Sequence, residues 1–321
     1  MVQKETWFES DDKAKLYLRR WLPEQSKPAA IVHILHGMGE HSGRYRHLAE
    51  KLCNANIAVW ALDQRGHGKT ADLQVNPRDK GGILGHCADK NTFKRVANDV
   101  YLVNKKIREE FPNTPLMLLG HSWGSFIAQN YIEKKDSGDG IIDCCILSGT
   151  RGPGGFKVKS GSILMSFLAF FSKKSKGIPF ARKMADGPYN EPFSPNRTEF
   201  DWLSRDEAEV DAYKNDPFSG TLCSIGFYRD LMKGLNNIHK FKAMSQIRKD
   251  LPIYIFCGSS DPVGDMGASP TKLVNIYRSL CLKDLEFVLY PGARHETLNE
   301  TNREEVMDAL LSWIRRHING E

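Results

Sequence analysis

An apolar run, Leu116-Met117-Leu118-Leu119, leads into Gly120-His121-Ser122-Trp123-Gly124 and then into the helical pattern Phe126–Ile132. This stretch constrains the fold more than any other part of the chain. A strand that turns into a helix within one glycine-flanked pentapeptide leaves no room for side chains two residues either side of the serine. The serine at its apex is held in a strained backbone conformation, with its hydroxyl raised above a sheet edge. A bare GxSxG is common by chance. The strand before it and the helix after it make this one read as a nucleophile elbow.

Around that elbow short apolar runs alternate with longer helical patterns, which predicts a mainly parallel α/β sheet. Residues 6–10 and 16–21, joined by Asp11-Asp12-Lys13, read as an antiparallel hairpin. Further strands are expected at 30–35, 57–62, 116–119, 143–147, 251–257 and 285–290. Helices are expected over 45–55, 91–110 (stopped before Pro112) and 304–317. The alternation breaks over 152–238, where Pro153, Pro179, Pro188, Pro192, Pro195 and Pro217 interrupt amphipathic pieces. The expected division is a core of 1–151 and 239–321, with 152–238 inserted as a cap over the carboxyl edge of the sheet.

Composition narrows the class. With 321 residues, 40% hydrophobic and 26% charged, the chain can bury a large core and reads as soluble and globular. The start, Met1–Thr6, lacks the apolar centre of a signal peptide, and the longest apolar run, 163–171, is too short to span a bilayer. Seven cysteines without CxxC spacing suggest buried thiols in a reducing, cytoplasmic setting and no metal site. The net charge of +6 is uneven. Lys157, Lys159, Lys173, Lys174, Lys176, Arg182 and Lys183 flank the apolar run with no acid among them. This reads first as a solvated edge and second as a surface for transient contact with anionic lipid. Nucleic-acid binding is not expected, since the basic residues lack regularly interleaved aromatics and match no known module.

A serine hydroxyl needs a base, and the base an orienting acid. On a sheet of this kind they follow in the order Ser, Asp or Glu, then His, on loops after later strands. Asp261, directly after strand 251–257, and His295, directly after strand 285–290, meet that order, with Asp265 as a rival acid. The oxyanion amides are expected from Trp123, the residue after the serine, and from Met38 in His36-Gly37-Met38-Gly39-Glu40-His41. His36 is expected to brace this loop rather than bind a metal. Asp63 and Arg65, in Asp63-Gln64-Arg65-Gly66-His67-Gly68, are expected to organise nearby loops by ion pairing.

Taken together, the segments His36–Tyr45, Asp63–Gly68, Gly120–Gly124 and Pro291–His295, with Asp261, closely resemble the α/β-hydrolase family of monoacylglycerol lipases and bacterial lysophospholipases, the serine aminopeptidase S33-like group. The segments Asn196–Asp206 and Gly226–Leu231 resemble the bacterial branch. The resemblance covers nearly the whole chain. It implies a mostly parallel sheet flanked by helices with a helical cap. It further implies Ser122 as nucleophile, His295 as base, Asp261 as acid, Met38 and Trp123 amides as the oxyanion hole, and no cofactor. Trp123 departs from the methionine often found there. The donor is a backbone amide and survives the change, but the larger ring is expected to narrow the acyl site. The leading function is hydrolysis of single-chain lipid esters through an acyl-enzyme. An amidase or proline-type aminopeptidase is the alternative, with Glu191, Glu199, Glu207 or Glu209 holding an amino group. A non-catalytic binding module is disfavoured by the intact constellation, and a dehalogenase by the lack of a carboxylate at position 122.

Overall fold

The computed structural model describes residues 1–24, 27–134, 140–154, 165–166, 175, 177, 179 and 187–319. The basic residues flanking the apolar run, and most of that run, lie outside the described residues. Eight strands form one sheet in the order β1-β2-β4-β3-β5-β6-β7-β8. The strands are β1 Val2–Glu9, β2 Lys15–Leu22, β3 Ala30–Leu35, β4 Ile57–Leu62, β5 Leu116–His121, β6 Cys144–Ser148, β7 Ile253–Gly258 and β8 Leu285–Tyr290. The hairpin β1–β2 is antiparallel and joins β4 antiparallel, while every pairing from β4 to β8 is parallel. The expected α/β-hydrolase architecture is therefore present.

Strands β3 to β7 are buried at every position, which explains why they read as unbroken apolar runs rather than as alternating ones. Their period of two still divides the core. Ile31, Leu35, Ala58, Trp60, Leu116 and Leu118 face one cluster; Val32, Ile34, Val59, Ala61, Met117 and Leu119 face the other. The first face is covered by α2 (Thr92–Glu110), α3 (Trp123–Ile132), α5 (Ile225–Ile238) and α7 (Ala268–Ser279). The second is covered by α1 (Arg46–Asn54) and α8 (Arg303–Asn319). Two further helices, α4 (Glu207–Asn215) and the short α6 (Phe241–Met244), complete those described.

Helix α5 falls within the segment expected as cap, yet Phe227, Tyr228, Leu231, Leu235 and Ile238 pack into the same cluster as α2 and α3. It also caps α2 from outside. Asn91, the residue before α2, makes no side-chain cap, and Asp230 Oδ2 accepts the Thr92 N–H at 2.9 Å instead. Helix α7 has no counterpart among the expected elements. Among the described residues no helix is long and apolar enough to cross a membrane. The seven cysteines form no disulfide; six are buried and Cys281 is exposed.

Candidate active site

Between β5 and α3 the backbone at Ser122 adopts φ 50° and ψ −118°, a left-handed conformation that costs roughly 1–3 kcal/mol for a residue with a side chain. The flanking glycines are demanded by contact. A Cβ on Gly120 would sit 2.4 Å from the Gly124 carbonyl oxygen, and one on Gly124 would sit 2.1 Å from that of Leu35. The turn is pinned to β6 by the Ser122 N–H, which donates to Ser148 O at 3.0 Å. Ser122 opens onto a cavity of about 630 Å³, whose walls include Met38, Phe200, Trp202, Leu203, Tyr213 and Leu222.

Loops after β7 and β8 bring two of the expected residues together. Asp261 is fully buried, and its Oδ2 lies 3.0 Å from His295 Nδ1. Its other oxygen accepts the Val263 N–H at 2.9 Å, which fixes the carboxylate. The rival Asp265 instead pairs with Arg151 at 3.5 Å. Burial disfavours charge on His295, but the Asp261 charge and hydrogen bond, with Glu296 and Glu40 behind them, raise its pKa above the ordinary histidine value. Neighbouring His121, with its ring 4.8 Å from that of His295, goes the other way. Burial and His295 push it down to about 4.

The loop after β3 lies against the serine, such that a Cβ on Gly37 would be 3.3 Å from that of Ser122. Each end of this loop is held. The Gly37 N–H donates to Glu40 Oε1 at 2.5 Å, and the Gly39 carbonyl accepts both Tyr213 Oη–H and the Gly220 N–H at 2.9 Å. His36 braces it as expected. Its Nε2 accepts the Gln64 N–H at 2.9 Å, so Nδ1 carries the proton it donates to Gly37 O at 2.8 Å. Arg65 is ion-paired to Asp99 at 2.6 Å and to Asp12 at 2.8 Å. Asp63 corrects the expectation of ion pairing: its partners are the Ser42 N–H and hydroxyl and the Lys69 N–H.

Trp123 corrects a second expectation. Its ring is buried between Phe93 and Phe227, with centroids 4.9 and 5.0 Å away, and its Nε1–H donates to Gln64 Oε1 at 2.9 Å. It is not among the described residues that line the cavity, so it does not narrow an acyl site there. Of the four acids considered for an amino group, Glu199 borders the cavity, while Glu207 and Glu209 face Arg197 and Arg303.

Several neighbours of the site were not anticipated. The Trp202 ring lies 5.1 Å from that of His295 at a tilt of 37°, and the carbonyls of Trp202 and Leu203 accept the N–H groups of His295 and Glu296 at 3.4 and 2.8 Å. Arg44 donates to Glu40 at 3.0 Å and, through both terminal nitrogens, to Glu296 at 2.6 and 2.7 Å. Burial works against charge on Glu40, but Arg44, His121 and His36 outweigh it and hold the pKa down to about 2. Arg44 lies in the motif His36–Tyr45 and Glu296 directly follows Pro291–His295, yet their partnership spans 252 positions and leaves no local pattern. A second Ser, His and Asp also meet away from the cavity: Ser224 Oγ lies 2.9 Å from His86 Nδ1, and His86 Nε2 lies 3.1 Å from Asp89 Oδ1. Among the described residues no three His, Cys, Asp or Glu side chains cluster as a metal site.

Comparison with known proteins agrees with this geometry. The family model described as serine aminopeptidase, S33 (Hydrolase_4) matches residues 26–302. A monoacylglycerol lipase of Mycolicibacterium smegmatis is 29% identical over 93% of this chain and 92% of its own. A thermostable carboxyl esterase from Bacillus coagulans, solved in complex with glycerol, superposes with a TM-score of 0.88 at 29% identity over 99% of each chain. A structure described as a lipase in open form gives a TM-score of 0.87 at 27% identity, covering 99% of this chain and 100% of its own. The chain belongs to the serine aminopeptidase S33 family of α/β-hydrolases, in its monoacylglycerol lipase-like group.

Proposed function

From that membership, we propose that this carboxylic ester hydrolase cleaves esters of single-chain lipids, of the monoacylglycerol or lysophospholipid class, with Ser122 as nucleophile, His295 as base and Asp261 as its orienting acid. One observation carries the reading. Asp261 and His295 pair at 3.0 Å beside a serine in a left-handed backbone conformation, on the floor of a largely apolar-walled cavity.

Ser122 Oγ attacks the ester carbonyl carbon while His295 Nε2 takes its proton. The new oxyanion is held by the N–H groups of Met38 and Trp123, each such donor being worth about 3 kcal/mol in the transition state. Collapse of the tetrahedral intermediate breaks the bond to the alcohol, which leaves with the proton from His295. Water then attacks the acyl-enzyme, again giving a proton to His295, and the fatty acid departs as Ser122 recovers its hydrogen. Buried Asp261 keeps the imidazole in the tautomer with Nδ1 protonated and favours the imidazolium as it forms.

Residues 187–224 serve as the part of the cap that walls the acyl chain. The same reading places transient contact with anionic lipid at the basic stretch 157–183, which vesicle co-sedimentation with and without anionic lipid tests. The main test is a hydrolysis panel of monoacylglycerols, lysophospholipids and p-nitrophenyl esters of graded chain length, with Ser122→Ala as control. Turnover that rises with chain length and vanishes in the variant is expected. Undiminished turnover by Ser122→Ala sinks the assignment. A second reading, cleavage of an aminoacyl amide, is favoured by Glu199 at the cavity wall. Faster turnover of an aminoacyl p-nitroanilide than of any ester would decide for it.

A further inference from the structure

We propose that the buried trio Glu40, Arg44 and Glu296 is a positioning device that ties the oxyanion loop to the base loop and sets the basicity of His295. This rests on the hydrolase reading above and gives a role to three residues outside the triad. Glu40 belongs to the loop after β3, where its Oε1 holds the Gly37 N–H and the Tyr45 hydroxyl. Glu296 directly follows His295. Arg44 grips Glu296 with two parallel N–H donors and reaches Glu40 Oε2 with one of them. A planar guanidinium suits such a forked contact, where an ammonium would make only point contacts. Tyr213 covers the guanidinium, with its ring centroid 4.7 Å away, and its hydroxyl holds Gly39 O. One cation therefore joins the loop that offers the Met38 amide, the loop that offers His295, and α4 above them.

The trio also leaves one negative charge uncompensated, because two carboxylates face one guanidinium. All three side chains are less than a tenth exposed, so water screens that charge poorly. Among the described residues, the charged and titratable groups that act most on His295 are Asp261, Glu296 and Glu40, with the His121 ring beside it; Trp202 adds an aromatic face. Asp261 orients the ring. The trio adds enough negative potential to support the imidazolium that forms during attack. Arg44 limits it, so that His295 is not left protonated at rest.

The test is the pH dependence of kcat/KM on p-nitrophenyl butyrate, with kcat and KM resolved at the plateau. Glu296→Gln removes one negative charge and is expected to move the acid limb down by about half to one pH unit. Arg44→Gln is expected to move it up by a similar amount, with kcat about tenfold lower and KM within about threefold. The double variant Arg44→Gln/Glu296→Gln restores the wild-type charge and is expected to return the limb, while Arg44→Lys restores the limb but not the full kcat. If Arg44→Gln does not fold, Glu296→Gln still decides, since its Arg44 remains paired to Glu40. An acid limb in active Glu296→Gln that stays in place or rises overturns the proposal. Persistent turnover by Ser122→Ala would instead overturn the hydrolase reading, so the two failures are distinct.

Discussion

Among the described residues, two hydrogen-bonded groupings set a serine, a histidine and an aspartate together, and the one at Ser122 lines the cavity. Ser122 stands on a left-handed elbow beside the His295–Asp261 pair. Ser224 has extended backbone, φ −72° and ψ 156°, and its Oγ caps α5 by accepting the Phe227 N–H at 3.2 Å. Ser224 and His86 are both buried, and Asp89 is shared with Arg78. The ring is also turned round: in this cluster the carboxylate meets Nε2 and the hydroxyl meets Nδ1. Residue types and the histidine–carboxylate distance, 3.0 Å in one and 3.1 Å in the other, are thus nearly the same in both. On the proposed mechanism, strain, access and neighbouring amides separate the nucleophilic serine from a helix cap.

The sharpest break would come from exchanging the two serines' fates. Ser122→Ala is expected to reduce ester turnover by about four orders of magnitude or more, with folding intact by circular dichroism. Ser224→Ala is expected to keep kcat within about twofold, and a collapse of turnover in that folded variant would mean that the two serines do not differ in role. Asp261→Asn presents an amide to His295 Nδ1 and should cost about 10⁴ in kcat, whereas Asp89→Asn should leave turnover nearly unchanged.

Acidity separates the histidines more gently. If His295 is the base proposed above, only its unprotonated form takes the serine proton, and its pKa is raised, so kcat/KM should fall about tenfold per pH unit below a midpoint above the ordinary histidine value. His86 is pushed down, chiefly by burial with Asp89 partly offsetting it, so it takes up its proton at lower pH than His295. A pH–rate profile with its acid midpoint below the ordinary value would contradict the charge arrangement around His295. The smallest expected effect is on stability. Loss of the Ser224 cap should cost about 1 kcal/mol, read as a lower urea midpoint at unchanged slope.

The strands were largely legible because burial on both faces writes itself into the chain as unbroken apolar runs. Strands β3, β4 and β8 begin and end at the expected residues. Helix α7 escaped because it opens without a side-chain cap, after Asp265, Met266 and Gly267 in left-handed conformations. The pairing of Asp261 with His295 could be anticipated because both sit at strand ends in a fixed order. The direction of Trp123 could not. A strand–turn–helix pattern locates its amide, but the ring follows the space that Phe93 and Phe227 leave for it. Likewise nothing local to Arg44 announces Glu296, since their meeting is made by the closure of the whole sheet.

The carbonyls of Trp202 and Leu203, which receive the amides of His295 and Glu296, limit how this enzyme can diversify. A segment exchanged from a relative to suit another acyl chain would carry away two of the base loop's tethers. It would have to bring equivalent backbone acceptors at those two positions. On the proposed reading, selectivity and reactivity are therefore not separate modules in this chain, and remodelling the cavity wall at Trp202 and Leu203 also tugs on His295.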